Sequence, residues 1–124
     1  MPHRSVTTDS AAPPGGPYSQ ATVAGDFVYL AGATPKRPDG SAVTGPFADQ
    51  ARAVFDNLSA VAEAAGARLS QAVRVGVYLE DFGDFAEFNE IFKEYFAEAP
   101  PARTTITADL PGFAIEVDAV LYTG

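Results

Sequence analysis

Arg103 is the first residue that could do chemistry, because it stands directly after a stiff segment of backbone. It follows Pro100-Pro101-Ala102, in which the two prolines end a helical pattern and restrict the chain. The chain has only 8 lysines and arginines against 16 aspartates and glutamates. A guanidinium group held in this way can bind a carboxylate through two parallel hydrogen bonds. The alternative is a surface ion pair without a chemical role.

Glu116 and Tyr18 could act on a small acid bound by such an arginine. Glu116 lies in the alternating segment 115–122, on the face opposite its apolar residues. The single histidine is His3, so a carboxylate is the best candidate for orienting or deprotonating water. Tyr18 follows a Gly-Pro turn, and its phenol can hydrogen-bond a ligand or a water molecule. The pattern alone leaves two alternatives open, an exposed strand carboxylate and a packed aromatic residue.

Composition excludes several classes of site. The chain has no cysteine, which excludes disulfides, thiolate catalysis and cysteine-bound metals. With one histidine, a Ser-His-Asp triad or a histidine-rich metal site is unavailable within one chain, so we expect no metal. The net charge of −8 and the absence of any basic cluster beyond Lys36-Arg37 argue against nucleic acid as a partner.

The length of 124 residues predicts one domain with a substantial core. Residues 1–14, rich in Ser, Thr, Pro and Ala, are expected to be a flexible arm, and residues 15–124 the single domain. No apolar run reaches the roughly 18 residues of a membrane span, and no signal peptide is visible. We therefore expect a cytoplasmic protein that has no membrane partner.

The elements that must position these residues follow from hydrophobic periodicity. We predict strands over 18–23 and 27–31, joined at Gly25-Asp26, then over 72–79, 104–108 and 115–122. In the third of these strands, the predicted buried face carries four residues: Val73, Val75, Val77 and Leu79.

Two helices are predicted between the strands. The first spans 46–65, and the second begins at Asp84, with Glu87 in a capping-box position and an aromatic stripe facing the core. The order β-β-α-β-α-β-β with two single-sided helices predicts a two-layer α+β domain. The other face of the sheet is half apolar, which favours burial against further subunits.

Taken together, several stretches resemble the RidA/YjgF family of reactive enamine/imine deaminases, also known as the endoribonuclease L-PSP family. The likeness spans roughly residues 13–122. It rests on "GPYSQA", "QARAVFDNLSAVAEAAGA", "VRVGVYLEDFGDFAEFNEIFKEYF", "PPARTTI" and "IEVDAV". Among these, "PPAR" followed by a short strand is the most specific motif.

The resemblance implies a chorismate-mutase-like α+β fold, with a mixed sheet covered on one face by two helices. It implies a homotrimer with sites between subunits, and cofactor-free hydrolysis of 2-enamine and 2-imine acids to 2-keto acids and ammonia. In that scheme Arg103 binds the substrate carboxylate and Glu116 positions the attacking water. Tyr18 and Asn89 correspond to further site residues of the family.

The chain departs from the family pattern in the lining of the expected site. Where the deaminases usually carry Ser-Gly-Gln, this chain has Ala31, Gly32 and Ala33, and Thr105 replaces a frequent cysteine. The smaller side chains would admit a bulkier or less polar substrate. Three alternatives to a housekeeping deaminase therefore stay open. They are a Rid-like protein of a specialised pathway, a trimer that binds a small carboxylate without turnover, and a structural trimer.

Overall fold

The computed structural model describes residues 2–124 as one six-stranded sheet and two helices. The strands are β1 (Arg4–Val6), β2 (Ala21–Ala24), β3 (Phe27–Ala33), β4 (Ala72–Leu79), β5 (Ala102–Thr107) and β6 (Ile115–Tyr122). The helices are α1 (Phe47–Ala64) and α2 (Phe85–Tyr95). No helix among residues 2–124 combines the length and apolarity needed to cross a membrane.

The sheet is mixed, with the strand order β1-β2-β3-β6-β4-β5. Only β4 and β5 pair in parallel, because α2 carries the chain back across the sheet between them. All other neighbours are antiparallel. Both helices cover the same face of the sheet, so the predicted two-layer α+β fold is confirmed.

The core lies between this face and the helices. Along β6 the buried residues alternate with half-exposed ones, as the sequence predicts. Phe55 of α1 is fully buried, and its ring lies 4.5–6.2 Å from the ring centroids of four aromatic residues near α2. These are Phe88, Phe92, Tyr95 and Phe96. The predicted aromatic stripe therefore belongs to the core.

The predicted burial of Val73 is wrong. Val73 is 44% exposed, whereas Ala72 and Val75 are buried. The register between β4 and β6 shifts between Ala72 and Arg74, and such a bulge offsets the alternation of side chains by one residue. The alternating sequence pattern does not reveal the bulge, because Ala72 and Val73 are both apolar and either could occupy the buried face.

We expect Val75→Ala to lower the free energy of unfolding by about 2 kcal/mol, since it removes two buried methyl groups and leaves a cavity. For Val73→Ala the expected loss is below about 0.5 kcal/mol, because the side chain is at the surface. Urea unfolding of both variants measures the difference. Equal losses would contradict the bulge.

The first fourteen residues, predicted to be a flexible arm, are partly built into the fold. Arg4–Val6 pairs antiparallel with β2, and Val6 and Ala11 are buried. A three-residue edge strand is too short to show an alternating pattern, which explains why the sequence does not predict it.

The start of α2 also differs from its prediction. A short 3-10 turn at Phe82–Asp84 precedes the helix, and Asp81 caps that turn by accepting a hydrogen bond from the Gly83 N–H at 2.8 Å. Asp84 makes no side-chain cap bond, so the predicted capping box is absent. The strand predicted at 104–108 begins at Ala102, which places Arg103 inside β5.

Candidate functional site

Arg103 lies over the aromatic face of α2. Its partner in the parallel register is the buried Val75, so its side chain points to the helix face of the sheet. The guanidinium carbon is 4.8 Å from the ring centroid of Phe92, 5.2 Å from Phe88 and 5.6 Å from Phe85. Rings at these distances attract a cation and restrict the plane of the guanidinium group.

Asn89 orients the guanidinium group further. The Arg103 Nη2 donates a hydrogen bond to Asn89 Oδ1 at 2.7 Å. Among residues 2–124 no acidic side chain forms an ion pair with Arg103. Burial lowers the pKa of Arg103, but arginine stays charged in proteins. We call Arg103, Asn89 and the three phenylalanines the arginine cluster. The guanidinium group of this cluster has N–H donors left that can bind an anion.

The arginine cluster opens on a shallow groove of about 610 Å³ between α2 and the start of β5. Pro100 and Pro101 form one wall of this groove. Thr105 lies on the same face of β5, two residues after Arg103. Its hydroxyl oxygen is buried and has no hydrogen-bond partner among the described residues.

Glu116 lies on the opposite face of the sheet. Its partner across the antiparallel register is Tyr78 of β4. The carboxylate lies directly over Gly32 of β3, where a Cβ atom would collide with Oε2. Gly32 belongs to an irregular stretch of β3, where the register with β6 shifts between Leu30 and Ala33. The absence of a side chain at Gly32 therefore makes room for the carboxylate.

Asp118 is a second carboxylate on the face of Glu116. It lies over Gly76, where a Cβ atom would be 2.5 Å from Oδ1. The Tyr78 hydroxyl donates a hydrogen bond to Asp118 Oδ2 at 3.0 Å, and this bond raises the pKa of Tyr78. Burial, and to a smaller extent the charge of Asp118, raises the pKa of Glu116 above its usual range.

We expect the Glu116 carboxyl to titrate at a higher pH than that of Glu94, whose pKa is lowered by Arg52. Asp118→Asn should lower the pKa of Glu116, but only in part, because burial is the larger cause. Carbon NMR of the side-chain carboxyl groups measures both. An unchanged titration in Asp118→Asn would contradict the coupling.

The raised pKa of Glu116 makes the free energy of unfolding depend on pH. The folded-state pKa of Glu116 lies above its unfolded value, so the stability present at low pH is lost as the pH rises through the folded-state pKa. Because glutamine does not titrate, the Glu116→Gln variant should not show this loss of stability as the pH rises.

The chain forms an inner recess of about 160 Å³, which shares Gly32 with the surroundings of Glu116. It lies between the segment 11–15, the end of β3 and α1, and four of the predicted site residues line it: Tyr18, Ala31, Gly32 and Ala33. Tyr18 is 52% exposed, and its hydroxyl oxygen accepts a hydrogen bond from the Gly15 N–H at 3.0 Å. The proton of that hydroxyl has no acceptor among the described residues, so it can donate to a ligand.

One chain does not bring Arg103 and Glu116 together. They face opposite sides of the sheet on β5 and β6, with β4 between them. Two strand spacings and three residues of offset separate their Cα atoms by roughly 14 Å. The predicted site residues therefore fall into two groups. Arg103, Asn89 and Thr105 are in one; in the other, Gly32 lies under Glu116 and lines the recess together with Tyr18, Ala31 and Ala33.

Sequence reasoning did not single out Asp118, Tyr78 or the rings under Arg103. The alternation of the last strand did place Asp118 on the face of Glu116, which is a usable signal. The contact with Tyr78 depends on the β4–β6 register, and the stacking of Arg103 depends on how α2 crosses β5. Neither can be read from local spacing.

Comparison with known proteins gives consistent results. The family model described as Endoribonuclease L-PSP matches residues 8–123. A RutC family protein of Pyrococcus horikoshii is 44% identical over 120 residues, covering 94% of this chain and 95% of the relative. A 2-iminobutanoate/2-iminopropanoate deaminase of Dermatophagoides farinae is 40% identical over 123 residues, covering 97% and 96%. The crystal structure of RidA from an Antarctic Psychrobacter species superposes with a TM-score of 0.91 at 37% identity, covering 96% of this chain and 98% of that one.

Proposed function

Because the chain belongs to the Endoribonuclease L-PSP family, also known as RidA/YjgF, we propose that it hydrolyses reactive 2-imino and 2-enamine acids to 2-keto acids and ammonia without a cofactor. The observation that carries this proposal is the arginine cluster. A guanidinium group is stacked on three rings, oriented by an amide and free of any acidic partner among residues 2–124. A similar relative bears the name of an imine deaminase, which supports the choice of substrate.

We further propose that the chain is a homotrimer in which the arginine cluster of one copy faces Glu116 of the next. Arg103 and Glu116 lie on opposite faces of one sheet, so a site that uses both requires two copies. The face that carries Glu116 is rich in exposed apolar groups, and the ring centroid of Phe27 lies 5.2 Å from that of Tyr122 and 6.4 Å from that of Tyr29. An apolar surface of this kind favours burial against a neighbour.

In the proposed reaction the arginine binds the carboxylate of the imino acid through two N–H donors. Water adds to the C2 carbon of the protonated imine while Glu116 accepts a proton from the water. The proton passes from Glu116 to the nitrogen, the C2–N bond breaks as the C2 hydroxyl gives its proton to Glu116, and the nitrogen leaves as ammonia, which then takes up that proton. The net change converts one protonated imino acid and one water into one 2-keto acid and one ammonium ion, with Glu116 ionised again. Glu116 must be ionised to accept the proton, so activity should fall as the pH drops through its raised pKa.

In the test, an amino-acid oxidase generates the imino acids in situ. Semicarbazide is present as a trap that competes with the protein for the imine and converts it to a semicarbazone. Because the trap consumes the imine, an active protein lowers the initial rate of semicarbazone formation and releases more keto acid. We expect this effect with wild-type protein and its loss with Glu116→Gln. If wild-type protein changes neither the rate of semicarbazone formation nor the release of keto acid with any amino acid offered, the proposed function is wrong.

A second function, binding of a small carboxylate without turnover, is favoured by one observation. Ala31, Gly32 and Ala33 offer no side-chain donor or acceptor to a reacting group. A binding protein would be stabilised against heat by 2-keto acids yet leave imine hydrolysis unchanged, which separates the two functions. We do not propose RNA as a substrate, because the net charge is −8 and the single histidine is the exposed His3.

A further inference from the structure

The inner recess has an apolar floor. Leu58 and Val61 of α1 line it and are both buried, and Phe113 lines it from the turn before β6. Gly32 also lines the recess, and the same glycine lies directly under the Glu116 carboxylate. Gly32 therefore borders both the recess and the Glu116 carboxylate.

The first of two buried amides in the lining has no donor left for a ligand. Gln20 Nε2 donates to the carbonyl oxygens of Ala12 at 2.9 Å and Thr8 at 3.1 Å. Its Oε1 accepts a hydrogen bond from the Thr8 N–H at 2.7 Å. Gln20 thus holds the N-terminal segment in place as a wall of the recess.

The second buried amide is occupied in the same way. Asn57 Nδ2 donates to the carbonyl oxygens of Lys36 at 2.7 Å and Thr34 at 3.3 Å, and Oδ1 accepts from the Ala12 N–H at 3.0 Å. All four N–H groups of the two amides are used by the protein itself. A polar group inside the recess would lose its hydrogen bonds to water without gaining a donor from either amide, and only Tyr18, Thr34 and Lys36 remain as side-chain donors in the lining.

We propose that this recess receives the side chain of the substrate, so that the preferred substrates are 2-imino acids with a branched or aromatic apolar side chain. This inference rests on the proposed function of the same site. The size is suitable, since an apolar cavity of about 150 Å³ can hold a benzene molecule. A methyl side chain would leave most of the recess unfilled.

The expected preference follows from the apolar surface that is buried. Each buried CH2 group contributes a factor of roughly four, so the three carbons by which an isobutyl group exceeds a methyl group give about sixtyfold when fully buried. Half burial gives about eightfold on the same scale. We therefore expect kcat/KM for the imine from leucine to exceed that for the imine from alanine by about tenfold or more.

Lys36 is the one charged residue in the lining. Its ammonium group would favour an acidic side chain if it reached into the recess. The imine from glutamate is therefore included in the experiment, and a preference for it over the imine from leucine would overturn the proposal.

The experiment compares imines from leucine, phenylalanine, alanine and glutamate in the semicarbazide assay. Val61→Phe fills the recess from α1 and should reduce the leucine-to-alanine ratio at least fivefold. Val61→Ile is a milder filling variant in case the larger ring disturbs folding. Val54→Ile is the matched control: Val54 is buried on the same helix but does not line the recess, so the ratio should stay at the wild-type value.

Each outcome of this experiment either supports or overturns the proposed side-chain preference. A preference for leucine or phenylalanine that the Val61 variants reduce supports the proposal. Turnover of all imines with no preference, or a preference that Val61→Phe leaves unchanged, overturns it while the proposed function survives. If no imine is hydrolysed, the proposed function fails and binding is the readout. The proposal then requires that 4-methyl-2-oxopentanoate raise the melting temperature more than pyruvate and that Val61→Phe abolish the difference, and it is overturned otherwise.

Discussion

Arg103→Ala is expected to reduce kcat/KM for imine hydrolysis by about 100-fold. Hydrogen bonds to a charged group contribute about 1.5–3 kcal/mol each, and 3 kcal/mol corresponds to a factor of somewhat more than 100. A substrate without its anchor would also lose the orientation that places C2 next to the water. The loss should appear in both KM and kcat, which the semicarbazide assay at several substrate concentrations separates.

Two further arginine variants separate the geometry of the Arg103 side chain from its charge and from the general loss of a cation. Arg103→Lys keeps the charge but loses the planar fork, so we expect an intermediate loss of about tenfold. Arg52→Ala is the matched control, because Arg52 forms an exposed ion pair with Glu94 on the helices and is assigned no part in the site. A full loss in Arg52→Ala would point to a nonspecific effect of removing a cation.

Arg103→Ala also removes the contacts of the guanidinium group with three rings. Thermal unfolding and sedimentation of the variant should therefore accompany the kinetics. If the variant dissociates into monomers while wild type does not, and no ligand affects either, Arg103 has a structural role between subunits. Wild-type kinetics in Arg103→Ala would contradict its role as the anchor.

Mixed oligomers of two inactive variants should recover activity. Arg103→Ala lacks the anchor and Glu116→Gln lacks the base, and the two residues lie on opposite faces of the sheet in one chain. When the variants are unfolded, mixed in equal amounts and refolded, a site formed between two copies has both native residues in about one case in four. We expect about a quarter of the wild-type kcat.

The control is to assay the two variants directly after mixing them without unfolding, before subunits have time to exchange. This mixture should stay inactive, as should each variant refolded alone. Persistent inactivity of the refolded mixture, with the oligomer intact by sedimentation, would contradict a site shared between copies.

The sequence determined the class of fold and the chemical character of the site. The alternation of the last strand separated Glu116 and Asp118 from the core residues, because side chains on a strand point alternately to its two faces. The helical spacing of α1 and the aromatic stripe of α2 placed the core correctly. The absence of cysteine and the single histidine excluded a thiolate nucleophile and a cysteine- or histidine-rich metal site within one chain, whatever the fold.

Only the tertiary structure decided which of these residues meet. The bulge at residues 72–74 and the edge strand at Arg4–Val6 come from pairing between distant segments, so local spacing does not reveal them. The same holds for the placement of Gly32 under Glu116 and for the rings under Arg103. The separation of Arg103 from Glu116 depends on strand order and register across β4. These are properties of the whole sheet, because each pairing is set by burial on its two faces and not by the residues next to it in the chain.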